Sequence, residues 1–320
     1  ASTYDLVLST GASISGADVS GTSYNGSGTL TFSNVGGTAS LTGAVTSGTL
    51  IIENTVNDVS LTGASVAVTN AVTFANAGAL TLGASGGTQT YTGGLTATSP
   101  TSISLSGNVA AGNNSTLGDA NTAIQLLTNV TLNSSASGKT LSIGGNVNAT
   151  AKDLTFTGAG NTSVSGNIST TTGSLTKTGS GTLTLSGTNS YQGTTNIEAG
   201  TLTVTGSLSD STAVTVSSGA TYNVGANDTI ASLSGAGNVG LSSTLTLGDS
   251  NDTTYSGVMS GVGALIKQGS GALTLTGTNT YSGATTINAG SIVVSADENL
   301  GTAPTNTTTG QLVLNGGTLR

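Results

Sequence analysis

The chain has no cysteine, no histidine and no tryptophan, one methionine and two prolines among 320 residues. Without Cys there is neither a disulfide nor a thiolate to bind metal or act as a nucleophile. Without His the usual Ser-His-Asp relay has no base. Charge is scarce as well, at 6% of residues, and the net charge is −8. The five cations, Lys139, Lys152, Lys177, Lys267 and Arg320, are scattered singly. No basic stripe exists to neutralise phosphates, which excludes nucleic acid as a partner. No apolar run approaches the ~18 residues that a spanning helix needs, and no charged-then-apolar leader opens the sequence. Membrane insertion by this stretch is therefore not expected.

What is present is glycine, at 50 positions, together with Thr, Ser, Asn and regularly spaced aliphatics. Disordered chains combine high net charge with little aliphatic content, whereas this one has a mean hydropathy of +0.16. Apolar-polar-apolar triplets recur along its whole length. They include Leu30-Thr31-Phe32, Leu80-Thr81-Leu82, Val130-Thr131-Leu132, Leu183-Thr184-Leu185, Leu202-Thr203-Val204, Leu273-Thr274-Leu275 and Leu312-Val313-Leu314. Period-two alternation puts the outer pair of each triplet on one face, as in a short half-buried strand. Steps such as Gly36-Gly37, Gly86-Gly87, Gly144-Gly145 and Gly316-Gly317 mark corners at which positive φ is expected. No stretch follows a helical period, and residues 119–137 alternate as a strand does.

Such frequent corners fit a sandwich of hairpins or a solenoid, and an internal repeat decides between them. The segment LTKTGSGTLTLSGTNSYQGTTNIEAGTLTV, from Leu175, recurs ninety residues later as LIKQGSGALTLTGTNTYSGATTINAGSIVV, from Leu265; the copies agree at 18 of 30 positions, every Gly included. A unit this short buries an apolar face only against its neighbours, which is how stacked architectures grow. Comparable positions lie about 20 residues apart, the length of one coil with two or three short strands. The expected fold is all-β: a parallel β-helix (β-solenoid) forming a single elongated rod of roughly 16 coils at ~4.8 Å each. Residues 171–320 are expected to form the regular solenoid that holds both repeats, 175–204 and 265–294, and residues 1–170 a less regular β-solenoid segment. Gly316-Gly317-Thr318-Leu319 begins a further coil, so the chain is expected to be a fragment of a longer one.

The stretch GSGTLTLSGTNSYQGTTNIEAGTLTV, preceded by Leu175 and Lys177, resembles the passenger-associated β-strand repeat of bacterial type V autotransporters, and residues 265–294 resemble a second copy. The spacer pieces TIASLSGAGNV and TLTLGDSNDTTYSG, and the later NLGTAPTNTTTGQLVLNGGTLR, are similar to segments that connect such repeats. The resemblance covers residues 171–320 well; earlier residues share the triplets but lack the Lys-x-Gly-Ser-Gly signature. It implies a right-handed parallel β-helix, secreted through the outer membrane by a translocator β-barrel outside this stretch and displayed at, or released from, the cell surface. Absence of Cys suits that route, since a disulfide closed early blocks threading through a narrow pore.

Few residues are candidates for chemistry. Gly248-Asp249-Ser250 echoes the Gly-Asp-Ser of serine-protease passengers, yet without His the serine has no base. The close carboxylate pairs are Asp249 with Asp252 and Asp297 with Glu298, both in expected corners. A sugar-cleaving β-helix needs two or three acids across a groove and aromatic platforms, and aromatics here total 3%. Asp249, Asn251 and Asp252 have a spacing able to wrap calcium, though without the distal Glu of an EF-hand; a solvated turn is the alternative. No other cofactor is expected.

Asn189 and Asn279 are expected to bond local backbone at corners. Tyr191 and Tyr281 are expected to cover corners, and Lys177 and Lys267 to stand on an outward flank as solubilising charges. The outward Thr184, Thr203, Thr215, Thr246 and Thr274 raise the idea of a flat hydroxyl ladder, which unequal coil lengths oppose. The expected function is a non-enzymatic structural or adhesive passenger meeting host or neighbouring cells, matrix or copies of itself. A self-assembling filament or surface-layer subunit is the first alternative, and a polysaccharide-degrading β-helix enzyme the second.

Overall fold

The structure is a computed structural model, describing residues 12–16, 18–21, 23–303 and 310–320. Part of the connecting segment similar to autotransporter spacers, residues 304–309, lies outside the described residues. The chain divides into two compact units, Ala1–Ser169 and Thr170–Arg320. Both are built from short strands, parallel within each unit and stacked as a β-solenoid, about 14 turns in all. Among the described residues the one helical element is a 3₁₀ turn at Asp297–Leu300.

In the first unit three faces recur. One stacks the strands Asp58–Leu61, Ala79–Leu82 and Ser102–Ala111, which puts Val59, Leu80, Ile103 and Ile124 in one inward column. A second stacks Ser65–Val68, Thr88–Tyr91 and the far half of Ser102–Ala111. That long strand passes from one face to the next through an irregularity between Leu105 and Gly107. A third face carries Leu95–Ala97, Ser115–Leu117, Thr140–Ile143 and Asn161–Val164. In the second unit Leu183, Leu202, Tyr222, Val239 and Met259 form one column, and Leu185, Val204, Val224 and Leu241 the next. All nine are fully or almost fully buried. Burying one such side chain contributes ~1.5–3 kcal/mol, so each coil is held by only a few aliphatics and gains the rest from backbone pairing with its neighbours.

Each 30-residue repeat is closed on itself by pairing. In the first copy Leu175–Lys177 pairs with Thr195–Ile197 and Thr182–Leu185 with Thr201–Val204; in the second, Leu265–Lys267 pairs with Thr285–Ile287 and Ala272–Leu275 with Ser291–Val294. One copy therefore supplies two successive rungs on two faces. Coil length varies more widely than the repeat suggests, from the 17-residue step of Asp228 onto Leu245 to the 27-residue step of Thr285 onto Leu312. The longer coils explain why fewer turns form than an even 20-residue period implies.

Corners are held by a recurrent bond between coils. A carboxylate or amide oxygen in one coil accepts the backbone N–H at a strand start or corner in the next. Examples are Asp18 with Thr38 at 3.0 Å, Asp58 with Ala79 at 2.7 Å, Asn227 with Thr244 at 3.0 Å and Asp252 with Ala272 at 2.7 Å. Acid and Asn side chains thus do at a solenoid corner what they do at a helix start, catching a donor that the regular ladder leaves free.

Two sequence expectations are corrected here. Among the four Gly pairs only Gly86 and Gly316 take positive φ. At other corners glycine answers to proximity instead: a Cβ on Gly257 would collide with the carbonyl oxygen of Gly237 beneath it, and one on Gly277 with that of Gly257, neither of which has a positive φ. The triplet Leu312-Val313-Leu314 was expected to bury its outer pair, yet Leu312 is 42% and Leu314 55% exposed. Its strand pairs along one edge with Thr285–Ile287, and among the described residues no further coil covers it.

Candidate functional site

The outward faces of both units are lined by Thr, Ser and Asn that bond from coil to coil. Ser169 donates to Asn148 at 2.8 Å, Asn70 to Thr49 at 2.8 Å and Thr194 to Ser174 at 3.2 Å, and the Thr215 and Ser234 hydroxyls lie 3.1 Å apart. These rungs stay partly or fully exposed while satisfying one another. They do not form one flat array: within the second unit Thr184 registers with Thr203, Thr215 with Asn196 and Ser234, and Thr246 with Thr229 and Ile266, on three different faces.

Asp249, Asn251 and Asp252, the calcium candidates, lie in a turn in which both Asp249 oxygens and one Asp252 oxygen already have donors. Asp249 accepts the Asn251 backbone N–H at 3.1 Å and its side-chain amide at 2.8 Å, and Asp252 accepts Ala272 N–H. A cation there would have to displace those bonds with only two carboxylates to attract it. No cluster of three or more His, Cys, Asp or Glu able to hold a metal exists among the described residues.

The chemistry that sequence reasoning missed lies inside. Lys177 and Lys267 are not on an outward flank: they are 3% and 4% exposed and take the inward position of their strands, in the columns Lys177–Ile197–Val216 and Leu247–Lys267–Ile287. The Lys177 ammonium donates to the carbonyl oxygens of Thr178 at 2.6 Å, Gly179 at 2.7 Å and Ala199, one coil on, at 3.1 Å. Lys267 donates to Gly269, the equivalent of Gly179. Burial pulls the Lys177 amine down to about 8. It pulls Lys267 down too, opposed by the charges of Asp249 and Asp252. Parity was the available signal, since Lys177 stands two residues beyond the inward Leu175 and Lys267 two beyond Leu265.

Tyr191 and Tyr281 are likewise buried, at 1% and 0% exposure. Asn189 and Asn279 bond backbone from buried positions, but mainly across coils and not locally as expected: Asn189 donates to Ser207 at 2.7 Å, and Asn279 accepts Met259 N–H at 2.7 Å while donating to Asn299 at 2.6 Å. A third buried polar group, Asp228, accepts Leu208 N–H and the Tyr222 hydroxyl, each at 3.0 Å. Burial raises its pKa. These side chains spend their hydrogen bonds inside the coil stack, on backbone groups for Lys177, Asn189 and Asn279 and on Tyr222 as well for Asp228.

Comparison with known proteins gives the same direction. A family model described as the passenger-associated-transport-repeat matches residues 175–204 and 265–294. A stretch of 108 residues is 40% identical to the adhesin BmaC autotransporter of Brucella suis biovar 1 (strain 1330); it makes up 30% of this chain and 3% of that protein. No solved structure matches the chain.

Proposed function

We propose that this stretch of autotransporter passenger is part of a cell-surface adhesin and works without catalysis, as a stacked scaffold for weak, repeated contacts. The family repeat supports the passenger assignment, and the similarity to a protein named as an adhesin supports the rest. The observation that carries the mechanism is the coil-to-coil hydroxyl and amide ladder on the outward faces, which offers many equivalent hydrogen-bonding groups and no privileged one. Such contacts are individually feeble, and their sum grows with the number engaged at once. Partners of this chemistry are glycan- or hydroxyl-rich: a host or neighbouring cell, matrix, or the same face of another copy.

The test compares bacteria displaying the full passenger with bacteria displaying passengers shortened by one, two or four coils within residues 171–320. Attachment to matrix-coated surfaces and cell–cell aggregation should fall in steps as coils are removed. Replacing single outward residues, such as Thr184→Ala, or both acids in Asp249→Asn with Asp252→Asn, should leave attachment within experimental scatter. Abolition by one such outward substitution would establish a discrete site instead. Release of oligosaccharides from acidic polysaccharide by the purified chain would establish an enzyme.

A further inference from the structure

The Lys-x-Gly-Ser-Gly corner of the first repeat has the construction of a cation site. Three main-chain carbonyls converge on the Lys177 nitrogen, two from the corner itself and one from Ala199 in the coil above. Gly200 closes the cradle from that upper coil. It takes a φ of +70°, and a Cβ there would come within 2.8 Å of the Lys177 nitrogen and also strike the carbonyl oxygens of Gly179 and Gly181. Gly290 repeats the arrangement in the second copy with a φ of +65°, its Cβ position facing the carbonyls of Gly269, Ser270 and Gly271. Side-chain carboxylates accept none of the Lys177 bonds described, so the dipoles of the corner carry the recognition.

An ammonium has three donors and no acceptor, which matches three convergent carbonyls. Thr178, Gly179 and Ala199 are half-buried, and carbonyls sheltered from water and left without a donor cost up to ~1–3 kcal/mol each, so the empty cradle is less favourable than the filled one. We propose that the corner of each repeat is a binding site for an ammonium group, occupied in the native protein by the chain's own lysine, which thereby fastens two successive coils where another protein would use a metal ion or a disulfide. The recognised class is a small univalent cation with N–H donors. It follows that a free alkylammonium of the right size should replace the tethered one.

The test uses the whole chain with Lys177→Ala, Lys177→Met and the unaltered protein, each melted at pH 7 in equal ionic strengths of methylammonium, potassium or choline chloride. The alanine variant should melt several degrees below the unaltered chain in choline chloride and recover at least half of that loss in methylammonium chloride. The unaltered chain should respond alike to all three salts, and Lys177→Met should remain low in all of them, because it fills the space without donors. Equal melting of the alanine variant in methylammonium and choline, or a methionine variant as stable as the unaltered chain, would overturn the proposal. If the variants do not fold, acetylation of the unaltered chain decides. Lys177 and Lys267 should then react on the order of tenfold more slowly than Lys139 and Lys152, since reaction requires local opening; equal rates would refute the clasp.

Discussion

The Tyr191 hydroxyl lies 2.7 Å from the Thr195 hydroxyl, both fully buried, and Tyr281 and Thr285 reproduce the contact at the same 2.7 Å. In the first copy the Thr195 hydroxyl also lies 2.9 Å from that of Thr212, which donates to the carbonyl of Gly193 at 2.7 Å. A buried threonine in an aliphatic stack is tolerable only when its hydroxyl is served, and the tyrosine four residues earlier serves it. The contact therefore belongs to the repeat and needs no external ligand to explain it. Tyr191→Phe should cost about 0.5–1.5 kcal/mol, because it removes one buried hydrogen bond while the Thr195 hydroxyl keeps Thr212 as its partner. Tyr191→Phe with Thr195→Val should cost less than the sum of the two single changes, as a denaturation double-mutant cycle would show.

Leu185 sits in the column Leu185–Val204–Val224, fully buried. Leu185→Asp places an unpaired charge in a core only one side chain deep on each face, and should cost upwards of ~3 kcal/mol. Because each coil leans mainly on its neighbours, hydrogen exchange should rise first in the strands Thr182–Leu185 and Thr201–Val204. Uniform loss of protection across residues 170–320 would show instead that the unit unfolds as one.

Calcium should not matter to stability. Both Asp249 oxygens and one Asp252 oxygen are engaged by N–H donors, and binding calcium there would exchange those bonds for a site with two carboxylates. Melting temperatures in millimolar calcium and in chelator should agree within a degree. A rise of several degrees with calcium, abolished by Asp252→Asn, would show that the turn rearranges into a site.

The parallel solenoid, the coil period and the inward triplets were legible because strand parity and a long internal repeat both survive without tertiary context. Leu183, Leu185, Leu202 and Val204 fell where alternation put them. The lysines did not, because chemical character was allowed to outrank parity: Lys177 obeys the same period as Leu175, and what makes its burial tolerable is a ring of carbonyls that sequence does not display. Glycine carries two roles that the sequence alone does not separate. Its presence marks a corner, but whether the backbone there needs positive φ, as at Gly86, or room for the coil beneath, as at Gly257, depends on inter-coil distance. Asp228 shares the inward parity of Ile230, but its charge gave no sign in the sequence of the buried partners it meets.

That aspartate gives the fold a pH dependence of definite sign. Asp228 is 4% exposed, and burial, with a smaller contribution from the charge of Asp210, raises its pKa above the ordinary 3.8 against the lowering effect of its hydrogen bonds. The folded carboxyl then holds its proton at pH values where the unfolded one has lost it. Fewer protons on the unfolded state mean that stability falls as pH rises. This group's contribution is full below about pH 3.8 and is lost as pH climbs through the raised folded value. Asp228→Asn keeps an oxygen for the Leu208 N–H and turns an amide donor toward the Tyr222 hydroxyl, which can accept as well as donate. The variant should be the more stable protein at neutral pH, and the gap should close as pH is lowered toward 3.8. Denaturant titrations from acid to neutral pH measure it directly. A variant less stable at pH 7, or a gap independent of pH, would mean that the carboxylate is held charged in the core by its hydrogen-bond donors and that desolvation is not the dominant influence.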